Sequence, residues 1–307
     1  MRRWTFDERR RRVWTLDTVT GRVIPTGVSD LCVGENFYRV VGLDGPHNGV
    51  ELMFGVVDSE LVRIQKLFDD LTDSNTLTLD DFQILCLSVA AQRMRTTQQR
   101  RIHNQYSAWL AAQDPSMTPL AEDDLKAAGT QTQSIFRALF SAADVFLGRQ
   151  IEVWEDPQER FMTCDAPVLV PFSKGGYRPP LLNAPWTIWP ISPRRVVVLS
   201  RDSVGQNAII RDATGKDVGL VRDSVLQGRE RMVLAGAAQS ERLSSCKRFG
   251  GRRAQAQLRC SDRGPGGDYV PHPGCVVQFS DTFAAKPDVV LCSRGLHRPT
   301  PDMSGLT

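Results

Sequence analysis

The chain has 307 residues, of which 41% are hydrophobic and 24% are charged, and these proportions are typical of a globular protein with its own apolar core. The 38 lysines and arginines nearly balance the 35 aspartates and glutamates, which excludes a chain that is strongly basic or acidic throughout. No apolar run approaches the length of about 18 residues that marks a membrane-spanning helix, and the charged N-terminus does not resemble a secretory signal. We therefore expect a cytoplasmic protein that does not enter a membrane.

The composition changes near residue 245. Residues 246–307 contain four of the seven cysteines and none of the six tryptophans. This segment has no helical periodicity and little apolar surface to offset the entropy lost on ordering, so we expect an irregular tail. The odd number of cysteines and the absence of close cysteine pairs favour free thiols over disulfides or a zinc site. The sequence thus predicts one domain over residues 1–245, followed by a basic tail rich in glycine, proline and cysteine.

The first predicted element is a β-hairpin over residues 11–25. The run that begins at Arg12 alternates between polar and apolar residues, and Thr20 and Gly21 supply a turn, after which the extended pattern resumes. Residues 36–41, which include two adjacent valines, are expected to form a further short strand or to anchor a loop.

Three amphipathic helices are predicted in the next hundred residues. The first has apolar residues at spacings of three and four from Val57 to Leu71. The second begins at a capping box formed by Thr78 and Asp81, and the third follows two proline breaks. The predicted inward residues of the second helix are Phe82, Leu85, Cys86, Val89 and Ala90, and those of the third are Ile135, Phe136, Leu139, Phe140 and Ala143.

After these helices, the helical spacing of apolar residues gives way to short runs of β-branched and apolar residues. These runs are 151–154, 160–163, 168–170, 187–189 and 195–199. The connections between them are too short for helical crossovers, so a small and mostly antiparallel sheet is predicted. Residues 219–243 are rich in arginine, glutamate and alanine and predict one further helix. The fold class is therefore α+β: a hairpin, a helical middle, a small sheet, another helix and an irregular tail.

Several strings along the chain together resemble one protein family. They are 13–23, the Glu35-Asn-Phe-Tyr string, the Gln92-Arg-Met-Arg-Thr string that leads to Arg100, the Phe161–Val168 string and the Pro190-Ile-Ser-Pro string. Their order and spacing over about residues 10–243 are similar to the bacterial family called domain of unknown function 4238. Since no activity is assigned to that family, the resemblance implies a bacterial cytoplasmic setting and positions to test, but no reaction.

The chain departs from the family pattern in two places. The His-Tyr-Val-Pro segment that usually precedes the first hairpin is missing, and Cys164 stands where the family has a serine. Residues 246–307 resemble no part of the family.

Asp165 is the first candidate for a functional group. We expect it at the end of a strand, between Thr163 and Pro167, where a carboxylate could bind a metal ion, act as a base or orient an arginine. The alternative is a structural Asx turn, in which the carboxylate accepts hydrogen bonds from backbone amides beside the proline.

The arginines near residue 95 are the candidate anion-binding groups. Arg95 lies in a cluster with Arg93, Arg100 and Arg101, and a guanidinium fork can give paired hydrogen bonds to a phosphate or carboxylate. The alternative is a solvated helix end, where cations are favoured by the helix dipole. Arg95 could also pair with a carboxylate such as Glu51 or Asp165.

Glu51 is the second candidate carboxylate. It is expected just before a helix, where it could serve as an acid–base group or metal ligand with Asp165, or could simply interact with the amides of the helix N-terminus. The sequence holds none of the standard phosphate-loop, serine-hydrolase or zinc-protease motifs.

Three functions follow from these patterns, and the sequence leaves open whether the protein is an enzyme. The preferred one is a binding or interaction module with a polar site made of Glu51, Arg95 and Asp165. The first alternative is a hydrolase of phosphodiesters in which Asp165 and Glu51 hold a divalent metal ion, the one cofactor that these residues suggest. The second is nucleic-acid binding through the arginine-rich termini, including Arg9–Arg12.

Overall fold

The computed structural model describes residues 2–7, 9–31, 40–42, 45–47, 49–72, 75–113, 135, 138–171, 181–201, 205–236, 240–246, 255–260 and 277–282. Within these ranges the chain mixes helices with small sheets, which confirms the α+β class. None of the helices in the described ranges is long and apolar enough to cross a membrane.

The helices are α1 (Gly49–Asp70), α2 (Leu79–Met94), α3 (Thr97–Gln113), α4 (138–147), α5 (Gly215–Gly228) and α6 (Ser240–Ser245). The strands are β1 (Arg12–Asp17), β2 (Arg22–Gly27), β3 (Val40–Gly42), β4 (Gly45–His47), β5 (Asn75–Thr76), β6 (Gln150–Glu155), β7 (Met162–Cys164), β8 (Trp186–Pro190), β9 (Arg195–Ser200), β10 (Gly205–Asp212), β11 (Met232–Ala235), β12 (Gln255–Cys260) and β13 (Val277–Thr282).

The predicted N-terminal hairpin is confirmed. β1 and β2 pair antiparallel from Arg12 opposite Gly27 to Asp17 opposite Arg22. The turn between them contains Gly21 at a φ of +70°, a conformation that glycine adopts without steric cost. Of the further strand expected over residues 36–41, Val40 and Val41 lie in β3, and residues 36–39 lie outside the described ranges.

The first two predicted helices also match the structure. Ile64 and Phe68 of α1 are fully buried, and so is the predicted apolar face of α2. Thr78 caps α2, because its hydroxyl accepts a hydrogen bond from the Asp81 amide at 3.1 Å. A break at residues 95–96 separates α2 from α3, and the sequence pattern did not predict it.

The predicted face of α4 needs one correction. Leu139 and Ala143 are buried, but Phe140 is 53% exposed. The buried stripe continues to Phe146, and Phe140 lies about 100° away from Leu139 around the helix axis. Phe136 lies outside the described residues.

The runs between residues 151 and 199 divide between two sheets rather than forming one. β6, β8 and β9 belong to a five-stranded sheet of order β5-β10-β6-β9-β8, whereas β7 lies at the edge of a four-stranded sheet of order β2-β1-β11-β7. The Asp156–Phe161 turn separates β6 from β7 and leads the chain from one sheet to the other. β10 pairs parallel to β6, and the other pairs of the five-stranded sheet are antiparallel.

The helix predicted over residues 219–243 is interrupted. α5 ends at Gly228, β11 follows, and α6 begins at Ser240. β11 carries Val233, Leu234 and Ala235, all fully buried, and it pairs with β1 on one side and β7 on the other. Burial between two distant strands therefore overrides the helical composition of the surrounding residues.

The five-stranded sheet is buried on both faces. On β9, Val197 and Leu199 pack in a cluster with α1, α2 and α4, whereas Val196 and Val198 pack in a second cluster with α5 and the four-stranded sheet. This double burial explains why β9 is a continuous apolar run rather than an alternating one.

In the tail, the described segments β12 and β13 pair antiparallel from Gln255 opposite Thr282 to Cys260 opposite Val277. Among the residues that the structure describes, Cys86, Cys164 and Cys246 are buried and form no disulfide. The domain boundary at residue 245 remains a prediction.

Candidate functional site

The carboxylate of Asp165 binds a loop that lies far away in sequence. Its Oδ1 accepts a hydrogen bond from the amide of Glu230 at 2.9 Å, and its Oδ2 accepts from the amides of Arg231 and Met232 at 2.7 and 2.9 Å. Burial raises the pKa of the Asp165 carboxyl above its ordinary value, and the three amide hydrogen bonds act against that rise. The side chain therefore anchors the loop between α5 and β11.

The amides that donate hydrogen bonds to Asp165 are not those of an Asx turn. The sequence offered the residues beside Pro167 as donors, but the three donors described here lie 65 to 67 residues further along the chain. Asp165 therefore accepts hydrogen bonds from backbone amides, as in the structural alternative, but its donors lie in a distant segment that the residues around Asp165 do not indicate. Its neighbour Cys164 donates its thiol hydrogen to the Ala166 carbonyl at 3.2 Å, as a serine hydroxyl could do.

The N-terminal half of α3 contacts the end of α5 and the same loop. The guanidinium of Arg101 forms a fork with the Glu230 carboxylate, with Nε–Oε1 and Nη2–Oε2 distances of 2.5 and 3.0 Å. The side-chain amide of Gln98 donates to the Gly228 carbonyl at 2.6 Å. Glu230 is therefore shared, because its backbone amide binds Asp165 while its side chain binds Arg101.

Arg93 links the α2–α3 connection to the segment that follows Asp165. It lies in the last turn of α2, and its Nη1 donates to the Val168 carbonyl at 3.3 Å. We call the assembly of residues 93–101, 165–168 and 228–232 the junction site.

Arg95, at the C-terminal cap of α2, faces α1. Its two terminal nitrogens bind the two carboxylate oxygens of Asp58, with Nη1–Oδ2 at 2.8 Å, and its guanidinium lies 5.5 Å from the centre of the Phe54 ring. The side chain of Arg95 is 17% exposed and that of Asp58 is 46% exposed, so the pair lies at the edge of the solvent. Asp58 is a partner that the sequence did not suggest.

Thr96 organises the start of α3. Its hydroxyl accepts from the Gln99 amide at 3.2 Å, and its carbonyl accepts from the Arg100 amide at 3.2 Å. Arg100, in the first turn of α3, is half-buried. His103 follows one turn later, and its own burial lowers the pKa of its imidazole, which favours the neutral form. The Arg-Thr string thus joins two helices, since Arg95 is the C-terminal cap of α2 and Thr96 caps the start of α3.

Glu51 lies in the first turn of α1 rather than before it, because α1 begins at Gly49. Its side chain is outside the described residues, so its proposed meeting with Arg95 and Asp165 stays a prediction. The metal alternative likewise stays a prediction. Within the described ranges, no group of three or more histidine, cysteine, aspartate or glutamate side chains is placed to hold a metal ion.

Sequence reasoning missed Asp58, Gln98 and Glu230. Each is a common polar residue on or beside a helix, and none belongs to a recognisable motif. Glu230 follows the glycine that ends α5, and a polar residue just after a helix end is the one local signal that could have drawn attention to it.

One family model matches the chain. It is described as "Protein of unknown function (DUF4238)" and covers residues 1–219. The match includes α3 and Asp165 but ends within α5, before the loop that both of them contact. No curated protein and no solved structure matches the chain.

Proposed function

The chain belongs to the DUF4238 family, whose description assigns no activity, and we propose from its own residues that it is a binding module that contacts an anionic ligand at the junction site. The observation that carries this proposal is the sharing of Glu230 by Asp165 and Arg101. Asp165 and Arg101, which lie in two separate candidate groups of the sequence, therefore both contact Glu230.

The anion-contacting group in this proposal is Arg95. A guanidinium fork binds a carboxylate or a phosphate through two parallel hydrogen bonds, and Asp58 occupies this fork in the structure. The Asp58 carboxylate thus has the chemistry of the ligand group that we propose. Since Asp58 is the more exposed partner, it can turn into solvent when a ligand anion takes its place.

Asp165 has a positioning role in this proposal. It holds the amides of residues 230–232, and through Glu230 it sets the position of Arg101. The phosphodiesterase alternative would need Asp165 to exchange these donors for a metal ion. The geometry favours the binding module because the carboxylate already accepts three hydrogen bonds.

We place the protein in the bacterial cytoplasm, as the family resemblance implies. In the part of the chain that the structure describes, Cys86, Cys164 and Cys246 form no disulfide, which supports a reducing compartment.

The test of the proposed function is a calorimetric titration with inorganic phosphate. We expect Arg95→Gln to weaken phosphate binding at least tenfold, since a charge-assisted fork contributes about 1.5 to 3 kcal/mol. Arg194→Gln is the matched control, because Arg194 also pairs with a carboxylate, that of Glu155, but lies in the β8–β9 turn. Equal binding by the wild type and the Arg95→Gln variant would refute the proposal.

A second variant tests the role of Asp58. If Asp58 competes with the ligand for the guanidinium of Arg95, then Asp58→Asn should bind phosphate several-fold more tightly than the wild type. If Asp58→Asn binds phosphate more weakly, Asp58 supports the site rather than competing for it, and the exchange of anions at Arg95 is wrong.

A further inference from the structure

A tight turn before the first strand presents four consecutive arginines. The Phe6 amide donates to the Arg12 carbonyl at 3.0 Å, and the Arg12 amide donates to the Asp7 carbonyl at 3.2 Å. The Asp7 carboxylate accepts from the Arg10 amide at 3.0 Å, which closes the turn. The backbone that carries Arg9–Arg12 is therefore held by its own hydrogen bonds.

The turn is also fixed to the residue that follows β2, and it contains a strained residue. The Val28 amide donates to the Arg11 carbonyl at 2.9 Å, and Arg11 has a φ of +48°, in the left-handed region that non-glycine residues seldom adopt. Such a conformation costs of order 1 kcal/mol and persists where the surroundings enforce it. The backbone hydrogen bonds of the turn thus hold a bulky cation in a conformation that glycine would adopt more easily.

All four guanidinium groups are exposed and lack a carboxylate partner among the described residues. By contrast, the exposed arginines Arg63, Arg194 and Arg222 pair with the carboxylates of Glu60, Glu155 and Asp223. Arg22 and Arg201 are exposed single arginines for which the described residues likewise provide no carboxylate partner. The turn also contains Asp7, whose carboxylate accepts from the Arg10 amide, and Glu8, whose side chain lies outside the described residues. Four arginines against these two acidic residues give residues 7–12 a net formal charge of +2.

We propose that the Arg9–Arg12 turn is a nucleic-acid contact surface that binds the phosphate backbone. Arginine is suited to phosphate because its planar fork gives two hydrogen bonds to one phosphate group. A rigid turn pays less entropy on binding than a flexible basic segment, since its backbone is already ordered. This surface is separate from the junction site and does not depend on the proposed function.

The residues beside the turn favour nucleic acid over a lipid surface. A membrane-binding turn needs apolar side chains at its tip, and residues 9–12 are all arginine. At the base of the turn, the rings of Phe6 and Trp14 stack with centroids 4.9 Å apart and an interplanar angle of 16°. Both side chains are partly exposed, and aromatic faces beside basic side chains are the usual platform for unpaired bases.

The experiment measures binding of the full chain to a fluorescent single-stranded oligonucleotide and to the duplex of the same sequence, over a series of salt concentrations. The test variant is Arg9→Gln, Arg10→Gln and Arg12→Gln combined, which leaves the strained Arg11 in place. The control variant combines Arg63→Gln, Arg194→Gln and Arg222→Gln, which removes the same charge from paired arginines. Thermal unfolding of both variants checks that the fold is retained.

We expect the test variant to lose at least tenfold in affinity at low salt, while the control stays within about twofold of the wild type. The slope of log affinity against log salt should also flatten by about two to three units, since each lost phosphate contact contributes about 0.7 to 0.9. The proposal is overturned if both variants lose affinity equally, which would indicate net charge alone. It is also overturned if the test variant binds as the wild type does, or if vesicles of anionic phospholipid bind the wild type more tightly than either oligonucleotide.

Discussion

Two aspartates on either side of β7 show how differently one residue type can be used. Asp156, in the turn before β7, accepts hydrogen bonds from the amides of Gln158 and Arg160 and from the Arg160 guanidinium, all within four residues of itself. Asp165, just after β7, accepts amide hydrogen bonds from residues 230–232. Asp156 therefore shapes its own turn, whereas Asp165 joins two distant parts of the chain.

The two carboxyls also differ in the direction of their pKa shifts. Burial acts to raise the pKa of Asp156, but the hydrogen bonds and charge of Arg160 outweigh it and hold the pKa below its ordinary value. Burial raises the pKa of Asp165, and its neutral amide donors do not fully offset that effect.

The largest effect should come from Asp165→Ala. It leaves three amides of the α5–β11 loop without their acceptor and detaches the loop from β7, so we expect a loss of about 3 kcal/mol in the free energy of unfolding. Urea denaturation measures this loss, with Asp165→Asn, which keeps one acceptor oxygen, expected between the wild type and alanine. A loss below about 1 kcal/mol would mean that the loop is held chiefly by other contacts.

Asp156→Ala should destabilise the protein by a smaller amount, about 2 kcal/mol. Two of the affected groups are amides, and the third, the Arg160 guanidinium, is 22% exposed and can gain water once its partner is gone. Arg160→Ala and the double variant complete a thermodynamic cycle in urea denaturation. A cycle with no coupling between the two positions would contradict the local character of this turn.

Arg101→Gln should cost less, about 1 kcal/mol or below. Arg101 and Glu230 are each 18% exposed, so water screens part of their attraction, and Asp165 still holds the Glu230 amide after the change. The measurement is again the midpoint of urea denaturation, with Arg222→Gln as the comparison, because the Arg222 side chain is 51% exposed. An Arg101 effect equal to that of Asp165→Ala would show that the ion pair, not the carboxylate, anchors the loop.

The smallest effects should be opposite pH dependences. The lowered pKa of Asp156 means that its contribution to stability is present above its unfolded pKa and is lost as the pH falls through its folded pKa. The raised pKa of Asp165 means that its contribution is fully present below the unfolded pKa and is lost as the pH rises through the folded pKa. On acidification, the free energy of unfolding of the wild type should therefore fall relative to that of Asp156→Asn. Relative to that of Asp165→Asn, it should rise.

Denaturation at a series of pH values between about 3 and 7 tests both signs, because asparagine does not titrate in this range. Parallel profiles for the two variants would show that the two carboxyls share one environment, and the contrast between them would then be lost.

Elements set by neighbouring residues were predictable. The β1–β2 hairpin follows from alternation and a turn glycine, and the start of α2 follows from the Thr78 cap, because these signals act within a few residues. Strand β11 was not predictable, since four apolar residues between helical segments indicate burial but not the partner strands. The placement of β7 in a different sheet from β6 was hidden for the same reason.

The candidate site divides in the same way. The sequence by itself determined that Asp165 stands between a strand and a proline, and that arginines cluster near Arg95, because residue type and order are local properties. Only the tertiary structure decided that Asp58 pairs with Arg95 and that Asp165 and Arg101 both contact Glu230. These contacts join residues from 37 to 129 positions apart, and their geometry depends on how sheets and helices pack, which no local pattern encodes.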